Sequence, residues 1–314
     1  MMRQLVAACG AVAMGTMLMP SADASRDSKW SEWSTPKNLG AGINTPFADA
    51  TPAISRDGLR LYFNSSHPGV LPGPGVPPEA VAFGDGDLYV ARRESFDAPW
   101  DEPQNLGEMI NTAGFEGFPA LSRNEHHLFF VRAPGDIWVS YRKNVHRDLG
   151  DSGWEQPVPL GPGVNTSAPE LGPSYFENRK QGLPQLYFHS NRPGGLGGND
   201  IYVADAFGPA VLVPGLNSEA VDARPSITAD GLEIFFHSNR TGSAGFDMYS
   251  SVRKSVLEPW STPESLGPVV NTAASDFLGA ISPEGETLFF TSTRDGGFGS
   301  QDIYVTTRSK RGGH

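Results

Sequence analysis

The sequence predicts an all-β chain, a five-bladed β-propeller whose N-terminal strand closes the last blade. One phrase recurs five times at blade-sized intervals, each copy carries short apolar runs separated by turns, and the final copy lacks an outer strand that the N-terminus can supply. The repeated phrase sets an acid five positions after an Asn and three before a Pro or Gly. Its Asn residues are Asn44, Asn111, Asn165, Asn217 and Asn271, and its acids are Asp49, Glu116, Glu170, Asp222 and Asp276. Pro52, Pro119, Pro173, Pro225 and Gly279 complete the copies, which are spaced by 67, 54, 52 and 54 residues. Periods of that size signal propeller blades or other repeat arrays.

Each copy opens with a first strand and a turn, as in PAISRDG from Pro52 and PSITADG from Pro225. A second strand follows: LYFNSS from Leu61, LFFVR from Leu128, LYFHSNR from Leu186, IFFHSNR from Ile234 and LFFTSTR from Leu288. These are β-branched and aromatic runs bounded by turn residues. The third strand starts at Asp87, Asp136, Asp200, Asp247 and Asp302. The fourth carries a Trp, a Pro and a Leu-Gly over Trp33–Gly40, Trp100–Gly107, Trp154–Gly161 and Trp260–Gly267, with a degraded copy near Val211–Gly215. Because Trp33–Gly40 precedes any first strand and the chain stops soon after the last third strand, pairing of the two termini removes exposed edges.

Residues 1–24 read as a secretory signal, with Arg3, an apolar run from Leu5 to Met19 and an Ala22-Asp23-Ala24 cleavage site. Residues 25–314 are then one propeller domain, expected to be exported to the periplasm or the medium. The lone Cys9 lies in that leader, so the mature chain holds its fold without disulfides. A net charge of −11 leaves no basic stripe for phosphates, which excludes nucleic acid as a partner. With no further apolar run of about 20 residues, the mature chain is expected not to span a membrane and to be a monomer.

NLGAGINTPFADATPAISRDGLRLYFNSS, NLGEMINTAGFEGFPALS and NRPGGLGGNDIYV together resemble the WD40-like propeller repeat of the TolB type. The resemblance covers almost the whole mature chain. It implies the propeller fold and, by likeness alone, an envelope binding or scaffold role.

Five carboxylates at equivalent positions are expected to converge on the axis at one mouth. Like charges that close raise one another's pKa unless something neutralises them. One reading is therefore a ligand site in which Asp49, Glu116, Glu170, Asp222 and Asp276 share a Ca²⁺ or a sugar, with Arg224 partly neutralising the ring. The other is structural, each acid accepting backbone N–H bonds in its own turn. Five-bladed propellers also host glycosidases, and there Glu116, Glu170 and Asp222 are the acid–base candidates. Five similar settings argue against that chemistry, which needs carboxylates in different environments.

The Arg residues that end the second strands, Arg192, Arg240 and Arg294, are expected to pair with the Asp that opens each third strand. His189 and His237 recur at one strand position and are read as packed or hydrogen-bonded. A Pro-rich insertion over residues 67–84 reads equally as a partner-binding loop and as a solvated one. The Gly150–Gly153 stretch, GDSG, is read as a chance match to a serine-protease nucleophile. The expected function is a non-catalytic binding or scaffold protein for a protein, glycan or cell-envelope component. The alternative is a glycoside hydrolase using axial carboxylates.

Overall fold

The computed structural model describes residues 29–66, 86–144, 153–178, 180 and 182–311. Its twenty strands form five four-stranded antiparallel sheets. Blade 1 holds β2 (Asp49–Ile54), β3 (Arg60–Ser65), β4 (Asp87–Arg92) and β5 (Gln104–Asn105), and blade 2 holds β6 (Glu116–Leu121), β7 (His127–Arg132), β8 (Asp136–Tyr141) and β9 (Val158–Pro159). Blade 3 holds β10 (Glu170–Asn178), β11 (Leu183–Ser190), β12 (Asp200–Asp205) and β13 (Val211–Leu212), and blade 4 holds β14 (Asp222–Ile227), β15 (Glu233–Ser238), β16 (Asp247–Val252) and β17 (Glu264–Ser265). Blade 5 is composite. Its β18 (Asp276–Ile281), β19 (Thr287–Ser292) and β20 (Asp302–Thr307) are completed by β1 (Lys37–Asn38), with Lys37 opposite Val305 and Asn38 opposite Tyr304.

Why five blades pack as they do is written in the second-strand triplets. A strand covered on both faces reads as a continuous apolar run, while its side chains still alternate. Leu186 and Phe188 therefore pack toward blade 2, in a cluster with Phe129 and Val131, while Tyr187 packs toward blade 4 with Ile234 and Phe236. Leu288 and Phe290 turn to blade 4 and Phe289 to blade 1 by the same rule. Five such clusters fill the five blade interfaces.

The repeat Asn stitches these interfaces together. Asn111 Nδ2 donates to Leu88 O at 3.0 Å while its Oδ1 accepts Leu88 N–H at 2.8 Å, tying the loop before β6 to β4 of the preceding blade. Asn44 does the same to Ile303, and Asn271 to Met248.

The fourth strands are shorter than the sequence suggests, two residues in every blade. Their Trp residues lie outside the strands, because each is taken up by stacking under an Arg: Arg93 on Trp100 at 4.4 Å, Arg142 on Trp154 at 4.3 Å, Arg253 on Trp260 at 4.1 Å and Arg308 on Trp33 at 4.5 Å. No helix of the described residues is long and apolar enough to cross a membrane. The expected leader (1–24), the insertion over 67–84 and most of the Gly150–Gly153 stretch lie outside the described residues.

Candidate functional site: an axial chamber crossed by Arg224

The five acids do not meet. Each is fully buried and closes its own turn. Glu170 accepts Thr166 N–H and Oγ1–H at 2.8 and 2.6 Å, Ser190 Oγ–H at 3.2 Å, and Arg192 Nη2 at 3.0 Å. Glu116 is held likewise by Thr112 and Arg132, Asp222 by Ser218 and Arg240, Asp276 by Thr272, Ser292 and Arg294, and Asp49 by Thr45. Among the described residues no three His, Cys, Asp or Glu side chains gather closely enough to hold a metal ion, these five acids included. Each carboxylate spends its bonds within its own turn, and the four that Glu170 accepts match the roughly four acceptor sites of its two oxygens.

This geometry also corrects the expected partner of the second-strand Arg residues. Arg192, Arg240 and Arg294 pair with the first-strand acid, not with the third-strand Asp. The ladder sets both acids beside the same Ser, Glu170 and Asp200 opposite Ser190, so either partner is within reach by register. Asp200 is instead occupied by Leu196 N–H and Gly197 N–H, which frees the Arg for Glu170 and for Val164 O. Each guanidinium also lies over its blade's stacked aromatic pair, as Arg192 does over Phe188 and Tyr202 at 4.9 Å. Burial lifts the Glu116 carboxyl above its ordinary pKa, and its bonds from Thr112 pull the other way.

Two residues past the acid, the repeat stops resembling itself: Thr51, Phe118, Gly172, Arg224 and Leu278 occupy that position. Four of them have left-handed backbone, at φ of 53°, 54°, 60° and 52° for Thr51, Phe118, Gly172 and Arg224. A bulge accompanies each, breaking the register between Ala50 and Ala53, Gly117 and Ala120, Leu171 and Ser174, and Ala223 and Ser226. Bulges re-aim side chains, and left-handed non-glycine residues store strain that is commonly found at functional sites. Here they turn Thr51, Phe118 and Arg224 into a cavity of about 280 Å³ on the axis.

Asn64, Phe115, His189, His237, Phe277, Thr291 and Gln301 also contribute to its wall. Neighbouring blades are joined around it by side chains that cap backbone N–H groups at this repeat position. Thr291 Oγ1 accepts Thr51 N–H at 3.0 Å, Thr51 Oγ1 accepts Phe118 N–H at 3.1 Å, and the Nδ1 atoms of His189 and His237 accept Arg224 N–H and Leu278 N–H, both at 3.1 Å. An Nδ1 that accepts a backbone proton leaves the ring proton on Nε2, so both imidazoles are neutral. Burial, followed by the nearby Arg224 charge, pushes His189 down to about 3; burial, then His189 and Arg224, holds His237 well below its ordinary value.

Arg224 itself touches every other blade. Its N–H reaches His189 of blade 3, Nε and Nη2 approach Gly279 O of blade 5 and Pro52 O of blade 1 at 3.4 Å, and its guanidinium stands 5.0 Å from the Phe118 ring of blade 2. The group is 4 % exposed, and among the described residues it forms no ion pair and its Nη1 has no hydrogen-bond partner. Burial lowers its pKa to about 9. It separates the chamber from a smaller cavity of about 120 Å³ lined by Pro119, Pro173, Pro225 and Gly279, the last residues of the repeated phrase. The sequence singled out Arg224 but assigned it to the acids, and it passed over Thr51, Phe118, Asn64 and Thr291. The signal that locates them is difference among copies at one repeat position, since scaffold positions are the ones that recur.

No family model and no curated protein matches the chain. Solved structures do share its fold. A family-62 glycoside hydrolase in complex with xylotriose is similar at 10 % identity and TM-score 0.55, over 90 % of this chain and 98 % of that one. An α-L-arabinofuranosidase from Lactobacillus brevis is similar at 14 % identity and TM-score 0.53, over 85 % and 92 %. A TolB protein from Agrobacterium tumefaciens aligns at 17 % identity over 82 % and 76 %, with a TM-score of 0.46. Several further similar structures are also glycoside hydrolases, including a thermostable family-43 enzyme. That finding corrects the expectation of a non-catalytic binding or scaffold protein: the fold is shared, at TM-scores of 0.50 to 0.55, with glycoside hydrolases rather than with a known scaffold.

Proposed function

We propose that the chain is a carbohydrate-active enzyme, a hydrolase of glycosidic bonds, whose saccharide enters the axial chamber. The observation that carries this reading is the chamber itself. Side chains from different blades converge on it through strained, bulged backbone, a construction with a stability cost. Its wall pairs apolar ring faces with a few fixed polar groups, the composition of a small-molecule site. The similarity to solved family-43 and family-62 glycoside hydrolases supports the choice of saccharide over other small ligands.

In this reading Glu116 and Asp222 act as positioning residues: each locks the turn two residues before Phe118 and Arg224, and so sets where those side chains stand. Glu170 does the same for Gly172, where a Cβ would come within 2.9 Å of His189 Nδ1. The leader expected over residues 1–24 would deliver such an enzyme to polysaccharide outside the cytoplasm.

The test is release of reducing ends from arabinan, xylan, arabinoxylan and polygalacturonate by the purified protein, across pH 4 to 8. Release from one of them, reduced by Phe118→Ala with the melting temperature retained, is the expected result. No release from any of the four and no saturable binding to them overturns the reading.

A further inference from the structure

We propose that the chamber takes a saccharide bearing a carboxylate, a uronic-acid unit, with the carboxylate on the Arg224 guanidinium; the inference rests on the carbohydrate reading above and deepens it. A buried cation without a counter-charge is costly, and buried charges are ordinarily paired or coordinated. Arg224 breaks that rule. Its neighbours are two carbonyl oxygens at the long distance of 3.4 Å, one aromatic face and two neutral imidazoles, and Nη1 has no partner. The protein therefore holds open a charge that something else completes.

The chemistry of the completing group follows from the same neighbours. With His189 and His237 neutral, the chamber wall carries a single positive charge among the described residues, which matches a monoanion better than a phosphate dianion. A guanidinium offers parallel N–H donors to a planar carboxylate, and here Nη1 is unused while Nη2 is held only by a long bond. The rest of the wall asks for more than a bare ion. Phe115, Phe118 and Phe277 present partly exposed rings, while Asn64 and Gln301 supply amide groups, the Asn64 side chain being oriented by the Thr51 hydroxyl that donates to its Oδ1. One sugar ring has an apolar C–H face for the former and hydroxyls for the latter. A cavity of about 280 Å³ lies just below the usual range of ligand pockets, roughly 300–1,000 Å³, and so suits no more than one such unit. The chain's net charge of −11 repels anions in general, so selectivity for one must come from a local group.

Calorimetric titration of the whole chain with D-galacturonate, D-glucuronate, D-galactose, D-glucose, acetate and inorganic phosphate tests this, in the parent, Arg224→Lys and Arg224→Met. The expected result is that one uronate binds at least roughly tenfold more tightly than its neutral sugar and than acetate or phosphate. That preference should be weaker in Arg224→Lys and absent in Arg224→Met, with circular dichroism and melting showing both variants folded. Equal binding of a uronate and its neutral sugar, or an unchanged preference in Arg224→Met, overturns the inference. Tighter binding of phosphate or acetate than of any uronate overturns it too. Hydrolysis of neutral xylan or arabinan without uronate binding ends this inference and leaves the carbohydrate reading standing, whereas uronate binding without hydrolysis of any glycan removes the hydrolase.

Discussion

The guanidinium of Arg224 stands 5.0 Å from the ring centroid of Phe118, although the two residues belong to blades 4 and 2, which are not neighbours. Both sit on bulged, left-handed backbone, at φ of 52° and 54°. The pair spans the propeller axis and makes a charged partition between two cavities.

Holding an unpaired charge there costs stability. Arg224→Met is expected to raise the stability of the ligand-free protein by about 1–3 kcal/mol, because a buried ion replaced by an apolar side chain of similar length removes a desolvation penalty. Denaturant unfolding monitored by Trp fluorescence reads this directly. A loss of stability instead would mark the guanidinium as part of the scaffold.

The two buried histidines set an acid limit. Their folded pKa values lie below the ordinary 6.5, so the unfolded chain binds more protons once the pH drops under that value. The sign is therefore a stability that is complete above about pH 6.5 and falls on acidification, down to about 3 for His189. Each histidine contributes up to about 1.4 kcal/mol per pH unit in that window. His189→Asn should flatten the pH dependence of unfolding free energy between pH 6 and 4.

Glu170→Gln should cost about 3 kcal/mol, since it leaves Arg192 without its carboxylate in a mostly buried site. A thermal melt reads the loss. Saccharide binding measured well below the melting temperature should weaken far less than in a chamber variant, and abolished binding in a folded Glu170→Gln protein would contradict its role as a turn lock.

Glu116→Gln should be milder. Burial raises the folded pKa of Glu116 above its ordinary 4.5, so its contribution is full below that pH and is lost as pH rises through the folded value. The parent should lose stability to Glu116→Gln mainly at low pH, with the gap narrowing toward neutrality. Paired unfolding curves at pH 4 and 7 check the direction.

Asn111→Ala should cost about 1–2 kcal/mol, because it removes both side-chain bonds to the Leu88 backbone and leaves the buried Leu88 N–H unpaired, while Leu88 O keeps the Leu106 N–H. Hydrogen exchange at Leu88 should accelerate, and unchanged exchange would show that another group takes over the bond.

The blade count, the strand order and the closure of blade 5 by β1 were legible in the sequence, because each depends on a pattern that repeats. The Leu-Phe-Phe triplets fix a strand buried on both faces, the repeat Asn fixes its seam to the preceding blade, and the spare Trp33–Gly40 segment has only one open edge to fill. The sequence also revealed that the acids occupy equivalent positions, but equivalence does not say which way a side chain turns. Whether Glu170 faces the axis or its own turn depends on Thr166, Ser190 and Arg192 arriving together from three separate stretches of chain, and only the tertiary structure brings them there. The site shows the same division. Thr51, Phe118 and Arg224 are unlike in sequence and share no motif, and what makes them one wall is a bulge that turns each strand at the axis. Repetition writes the scaffold into the sequence, whereas a site built from the positions that differ exists only where five blades meet.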